Sequence, residues 1–285
     1  MTDQGPGFYR RSVGDLTVTV LNDGFIDLPF GAMPAITPED AAALLAHAFR
    51  PPVGRTTVSA FLVQGGGRTV LIDTGAGTLF GPTMGRLPAN LAAAGVAPAD
   101  IGTVLLTHMH GDHLGGLTHG GTAVFPNATV MAAEAERAFW LDADPASVPE
   151  GMRNTVVTAQ ASLAPYKDRL STFGTTSIAP GITPVPLPGH TPGHTGFRIG
   201  DGTDAVLIWA DVIHLQDIQA PRPEIGLVFD TDPAGAIATR QRVLDMAASE
   251  RMLVAGMHLH FPTFHHVARA GQGYALLPEM WSPVV

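Results

Sequence analysis

Along residues 14–28 (DLTVTVLNDGFIDLP) apolar and polar side chains alternate, which is the period of a half-buried strand, and Asn22-Asp23-Gly24 has turn chemistry. The pattern predicts two opening strands joined as a hairpin with its tip at those three residues. Thr37-Pro38-Glu39-Asp40 supplies a capping hydroxyl, a proline at the first helical position and early acids ahead of AAALLAHAF, so a helix is predicted to start there. Residues 57–64 and 69–73 read as another strand pair ending in Asp73-Thr74-Gly75, and a second helix closes over Asn90 to Gly95. Residues 103–107 (TVLLT) lack polar alternation, as expected of a strand buried on both faces. The second half follows a similar order, with helices over 132–142, 155–170 and 233–249 and strands near 182–187, 195–199, 205–210 and 252–256. Two rounds of mixed strands and helices imply an α+β chain in four αβ/βα layers, two mixed sheets face to face with helices outside.

Composition sharpens this picture. A hydrophobic fraction of 45% is ample for a large core, and the 33 Gly and 24 Pro are spread through short turns, so residues 1–285 read as a single domain. With 16 Lys plus Arg against 25 Asp plus Glu, the formal charge of -9 repels a nucleic-acid backbone, so no nucleic-acid partner is expected. The opening MTDQGPGFYRRSVGD has no apolar signal core and no later run is long enough to span a bilayer; a cytoplasmic protein without a membrane partner is expected. Cysteine is absent, which excludes disulfides, thiolate ligands and a Cys nucleophile. Any metal must therefore sit on imidazole and carboxylate.

Such groups crowd directly after the buried 103–107 strand, in Thr107-His108-Met109-His110-Gly111-Asp112-His113. In an extended segment residues i and i+2 point the same way, so His108 and His110 can grip one ion while the turn at Gly111 swings Asp112 and His113 toward a second. Solvated loop histidines would not need four metal-competent side chains in six residues. Leu187-Pro188-Gly189-His190-Thr191-Pro192-Gly193-His194 ends another strand and offers one further histidine, Asp211 ends the apolar strand VLIWA, and His258 follows LVAGM. Strand ends converging on one edge are where α/β folds place their ligands.

In this order, His-x-His-x-Asp-His, Pro-Gly-His, a strand-end Asp and a late His, the chain resembles the metallo-β-lactamase superfamily over nearly its whole length. The resemblance implies two divalent ions, zinc first with manganese, cobalt or iron as alternatives. One would be held by His108, His110 and His190, the other by Asp112, His113 and His258, with Asp211 shared; the family's ligand is the first histidine of Gly-His-Thr-Pro-Gly-His. Asp73 matches a position that orients the ligand loop. The absence of Cys together with the presence of Asp211 speaks against antibiotic hydrolysis. The Trp-Ala-Asp-Val-Ile-His run, Arg222-Pro223-Glu224, Phe229-Asp230-Thr231-Asp232-Pro233 and the residues from Gly256 to Pro262 are similar to the branch of methyl parathion hydrolase and the quorum-quenching lactonases. Lactonases of that branch usually have a tyrosine three residues past the shared aspartate, where this chain has His214. Relatives of the branch are commonly dimers, which implies a homodimer.

The mechanism so implied uses two ions about 3.5–4 Å apart that lower the pKa of a bridging water toward roughly 7. The resulting hydroxide attacks a carbonyl carbon or a phosphorus centre, with Asp112, Asp211 and His214 as the catalytic side chains. Phe30, Met33, Met109, Phe139, Trp140, Phe229, Phe261 and Phe264 are the candidates for a hydrophobic pocket accepting a small lactone, aryl ester or phosphotriester. His260, His265 and His266 read equally as supporting donors or as surface residues. The competing class is a mononuclear-iron oxidoreductase of the same superfamily, acting on sulfur substrates.

Overall fold

The computed structural model describes residues 4–285; Met1 to Asp3, part of the expected 1–285 domain, lie outside the described residues. The first sheet gathers β1 (Phe8–Val13), β2 (Leu16–Leu28), β3 (Gly54–Gly65), β4 (Arg68–Ile72) and β5 (Thr103–Leu105). After a two-residue pair, β6 (Thr118–His119) and β7 (Thr122–Ala123), it is completed by β8 (Thr129–Ala133) and β9 (Leu170–Phe173), in the order β1-β2-β3-β4-β5-β8-β9. The second sheet runs β10 (Ile182–Pro186), β11 (Thr195–Ile199), β12 (Val206–Ile208), β13 (Leu253–Ala255), β14 (His265–Ala270) and β15 (Gly273–Pro278), each beside the next. Both sheets are mixed: β4, β5, β8 and β9 run parallel, as do β12 and β13, and the remaining pairs are antiparallel.

Strand side chains alternate between two apolar environments, which is why these strands show little polar period. Phe61 and Val63 of β3 pack inward with Phe197, Ile199, Val206 and Ile208 of the other sheet, forming the core between the sheets. Ala60 and Leu62 face the opposite way, onto α2 (Leu87–Ala93), α4 (Glu134–Trp140) and α5 (Glu150–Leu163). The outer face of the second sheet is covered by α7 (Pro233–Ser249) through Val243, Leu244 and Ala247 against Leu207, Trp209 and Val254. Layers of helix, sheet, sheet and helix result, as the alternating rounds of elements imply. α1 (Pro38–His47) starts at the predicted cap, where the Thr37 hydroxyl accepts the Asp40 N–H. Two single-turn helices, α3 (Gly111–Leu114) and α6 (Gln216–Gln219), lie on the loops that follow β5 and β12.

Three local expectations are corrected. Asn22-Asp23-Gly24 is no hairpin tip: β2 runs through it with a register shift, and the hairpin turns instead at Gly14-Asp15. Asp23 faces inward and accepts the Ala76 and Leu87 N–H groups, both at 2.8 Å, while Gly24, at φ +138°, lies against the Thr83 backbone with no room for a side chain. Turn-forming residues serve here as a bulge that docks a distant loop. The 132–142 helix begins only at Glu134, because Thr129–Ala133 pairs as β8 between β5 and β9. The 155–170 helix starts earlier, at Glu150, and its α-helical part ends at Leu163, since Pro165 cannot continue it; the chain then passes through a 3-10 turn into β9. No helix among the described residues is long and apolar enough to cross a membrane.

Candidate metal centre

The chemistry-bearing loops leave the carboxyl ends of β4, β5, β10, β12 and β13, the edge at which parallel strands commonly present ligands. From β5 come His108 and His110, followed by Asp112 and His113 on α3; β10 delivers His190, β12 delivers Asp211, and β13 delivers His258. The structure brings all seven together. His108, His110 and His190 form one set of convergent donors and Asp112, His113 and His258 another, while Asp211 joins groups with His108 and His113 and with His190 and His214.

Their hydrogen bonds decide which atoms are free. His108 Nδ1 donates to the Thr107 hydroxyl at 3.0 Å, His113 Nδ1 to Asp73 at 2.8 Å, His190 Nδ1 to Asp230 at 2.8 Å and His258 Nδ1 to the Thr57 carbonyl at 2.9 Å. Each outward bond leaves the Nε2 lone pair directed inward, as metal-ligating imidazoles require. His110 is the exception and turns Nδ1 inward, 3.1 Å from His108 Nε2 and 3.0 Å from His190 Nε2. Three nitrogens set tetrahedrally about a cation at about 2.0–2.1 Å stand roughly 3.3 Å apart, so this triad is already near the spacing a metal needs. Asp211 Oδ1 is fully buried without a hydrogen-bond partner, and buried His113 Nε2 makes no well-directed bond and faces carboxylate oxygen at 3.2 Å, which is costly unless a cation or its water completes them. The donor set fits two cations.

Electrostatics point the same way. Asp211 Oδ2 lies 3.0–3.5 Å from nitrogens of His108, His113, His190, His214 and His258. Burial alone would raise the Asp211 carboxyl, but those imidazoles outweigh it and hold it well below its ordinary value. Burial also pulls His113 down, yet Asp211, Asp112 and Asp73 together hold it well above the usual imidazole range. In the same way, bonds to Asp211 and Asp230 overcome burial and bring His190 to about 9. His108 and His110 are driven well below the ordinary range by burial and by neighbouring imidazoles. At about 9, His190 carries a proton at pH 7 in the metal-free protein, and a cation must displace it to use Nε2. Loading zinc at pH 7 in weak buffer should release a proton from His190, read with a pH indicator, and affinity should fall as pH drops. Uptake without proton release would contradict this charge state.

The other expected residues divide. Asp73 accepts from Thr107 N and Oγ1, both at 2.8 Å, as well as from His113, so it joins two parts of the ligand loop. His194 stays outside the donor sets: its Nδ1–H goes to the Leu187 carbonyl and its Nε2 accepts the Asp211 N–H at 3.0 Å. Burial takes it down to about 3, so it is neutral and serves the backbone. Above the cluster lies a cavity of about 500 Å³. Of the eight pocket candidates, Trp140 and Phe229 line it. The other six are corrections: Met33, Met109 and Phe264 are buried in apolar clusters, Phe30 and Phe139 pack against such clusters, and Phe261 is exposed off the lining. Ile26, Leu28, Phe80, Met152 and Val228 take their places. His260 pairs with Asp217 at 2.6 Å near Arg50, His265 is buried against the Thr263 carbonyl, and His266 is exposed; none joins the donor groups.

Two functional positions escaped the sequence reading. Asp230, which orients His190, stands two residues before Asp232, the true cap of α7, and looks like more capping chemistry. Glu136 sits in the first turn of α4, where an acid is unremarkable, yet it is fully buried.

The sequence model of the metallo-beta-lactamase superfamily matches residues 53–258. The chain belongs to that superfamily. A solved hydrolase, AbOPH, described as in the beta lactamase superfamily, is 31% identical, with a TM-score of 0.91 and coverage of 98% of this chain and 100% of that one. AidC, a dizinc quorum-quenching lactonase solved with the product N-hexanoyl-L-homoserine, is 27% identical with a TM-score of 0.91, covering 97% of this chain and 98% of that one. The uncharacterized protein YobT of Bacillus subtilis (strain 168) is 31% identical over 136 residues, 48% of this chain; the match spans about half, 55%, of that protein's length.

Proposed function

We propose that the chain is a binuclear metal-dependent hydrolase of uncharged ester-type small molecules: lactones, aryl esters or organophosphate triesters. The carrying observation is the meeting of both donor triads and Asp211 at the base of a cavity whose lining contains no lysine or arginine. Beyond the donor cluster an anionic substrate meets no lysine or arginine, and Asp112 and Asp230 also line the cavity, whereas a neutral ester finds Ile26, Leu28, Phe80, Trp140, Met152 and Phe229. The similarity to AbOPH and to the lactonase AidC supports the same class.

When bound, two divalent cations supply Lewis acidity and bring the pKa of coordinated water from about 15.7 toward roughly 7. The chain's own residues do the rest. Asp112, with 16% of its side chain exposed against 2% for Asp211, is the most exposed of the acids lining the cavity and is placed to hold the proton released during attack. His214 borders the same cavity; burial lowers it to about 4, so it is neutral and gives its Nε2–H to Asp211 Oδ2 at 3.0 Å. Apolar walls orient the acyl or aryl group and exclude water. Because Phe229 is 46% exposed in the free protein, its removal forfeits only part of an aromatic burial. Phe229→Ala should raise KM for a hexanoyl or aryl substrate about fivefold, roughly 1 kcal/mol, with kcat little changed. An unchanged KM would remove Phe229 from the substrate site.

The deciding screen uses zinc-, cobalt- or manganese-loaded protein with aryl lactones, acyl-homoserine lactones, aryl esters and paraoxon-like triesters. Two metals per chain with hydrolysis is the expected result. One iron per chain with oxygen consumption on a sulfur substrate would replace this reading by the oxidoreductase one.

A further inference from the structure

The loops carrying His110 and His190 come from different sheets and lie 80 residues apart in the chain, yet the two ring nitrogens approach to 3.0 Å. A hydrogen bond spans that separation in the free protein, but a cation taking both nitrogens would end it, so another tie must keep the loops in register. Between them sits Glu136, fully buried. Its Oε1 accepts the Met109 N–H at 2.9 Å and the Trp140 indole N–H at 2.6 Å; its Oε2 accepts the Thr191 hydroxyl at 2.7 Å and the Gly193 N–H at 3.0 Å. Met109 is the residue between His108 and His110, and Thr191 follows His190 directly. Three of the four partners can only donate, so both oxygens act as acceptors, which is the arrangement of a carboxylate.

Packing alone would not select this residue. A buried carboxylate with no cationic partner is expensive, and burial does raise its proton affinity; it is kept because four donors, three of them on the two loops, converge on it, and an apolar side chain would leave them unpaired. The surroundings are shaped to it: at Gly193 any side chain would collide with the Glu136 backbone. The other half of the centre has separate supports, His113 on Asp73 and His258 on the Thr57 carbonyl, and neither bond involves Glu136.

We propose that Glu136 is a positioning residue that ties the 107–113 and 187–194 loops together and so sets the affinity of the His108/His110/His190 half of the centre, independently of the Asp112/His113/His258 half. Through the indole bond it also fixes Trp140, whose ring meets His110 edge-on at 5.5 Å and forms a cavity wall. This rests on the reading of those residues as metal ligands.

Glu136→Gln is the direct test, because the amide keeps the shape but turns an N–H2 group toward two donors. Apo protein is titrated with cobalt and, against a chromophoric chelator, with zinc; the visible cobalt spectra of His190→Ala and His258→Ala identify which half fills. Wild type should take up two ions, and Glu136→Gln should bind one unchanged while the His190 half weakens about 10–100-fold, the range typical of lost support behind a ligand. Thr191→Val, which removes one donor and keeps the carboxylate, should weaken the same half by a smaller factor. This keeps the proposal testable if the glutamine variant does not fold. Two ions bound by either variant at wild-type affinity, or both halves weakened equally, would overturn the role of Glu136 and leave the metal centre standing. No metal uptake by wild type would overturn the centre itself.

Discussion

Asp211→Ala is expected to reduce metal content below two ions per chain and to cut ester turnover on the order of 10³-fold, ~4 kcal/mol of barrier. Asp211 Oδ2 is the one anionic atom within 3.0–3.5 Å of five imidazole groups. Without it, two cations and five imidazoles would share a buried space with Asp112 the one carboxylate left among the donor groups, and desolvated charge of that density disperses or loses its ions. The local backbone should survive, because the bond from the Asp211 N–H to His194 Nε2 does not involve the side chain. Metal analysis of the purified variant alongside steady-state rates separates the two effects. A variant with two ions and wild-type turnover would refute a shared carboxylate at this position.

Arg240→Met should destabilise the fold by ~2–4 kcal/mol, seen as a lower urea midpoint with an unchanged m-value. Arg240 is 1% exposed and donates to the carbonyls of Val212, Pro223 and Ile225. Those carbonyls lie on the long loop that begins at Asp211 and ends at Asp230, and Gln219 braces the same loop by accepting the His214 and Leu215 N–H groups and donating to Ile225. Bonds from a charged donor contribute about 1.5–3 kcal/mol each, and relief of the buried cation returns part of that when methionine replaces it. Burial lowers the Arg240 pKa while nearby Asp230 raises it, so the cation and the His190–Asp230 pair are electrostatically linked. The variant should therefore also bind metal more weakly in the His190 half. An unfolding free energy within about 0.5 kcal/mol of wild type would show that the loop holds its shape without this cation.

The two supports differ in kind. Arg240 and Gln219 satisfy backbone groups of an irregular loop that has no ladder to pair with, so their loss is felt first in folding. Asp73, Asp230 and Glu136 act on ligand residues or on the loops bearing them, so their loss is felt first in metal affinity. Asp73 and Ala210 even hold left-handed backbone, at φ 59° and 52°, beside the site. Such conformations cost about 1–3 kcal/mol each in non-glycine residues and persist where surrounding bonds over-determine them.

What the sequence determined by itself was local. Periodicity located most strands and helices, and the order of His108, His110, Asp112, His113, His190, Asp211 and His258 placed each metal-competent side chain just after a predicted strand. These features were legible because a strand end and an i, i+2 spacing are properties of short segments. The tertiary structure alone decided that Asn22-Asp23-Gly24 is a bulge docking the 76–87 loop, that Met33, Met109 and Phe264 belong to cores while Phe80 and Met152 line the cavity, and that Glu136 and Asp230 stand behind the ligands. Each of those outcomes depends on segments from separate elements meeting across the packed sheets. A buried acid or an apolar side chain has the same local sequence signature whichever neighbour the packing brings to it.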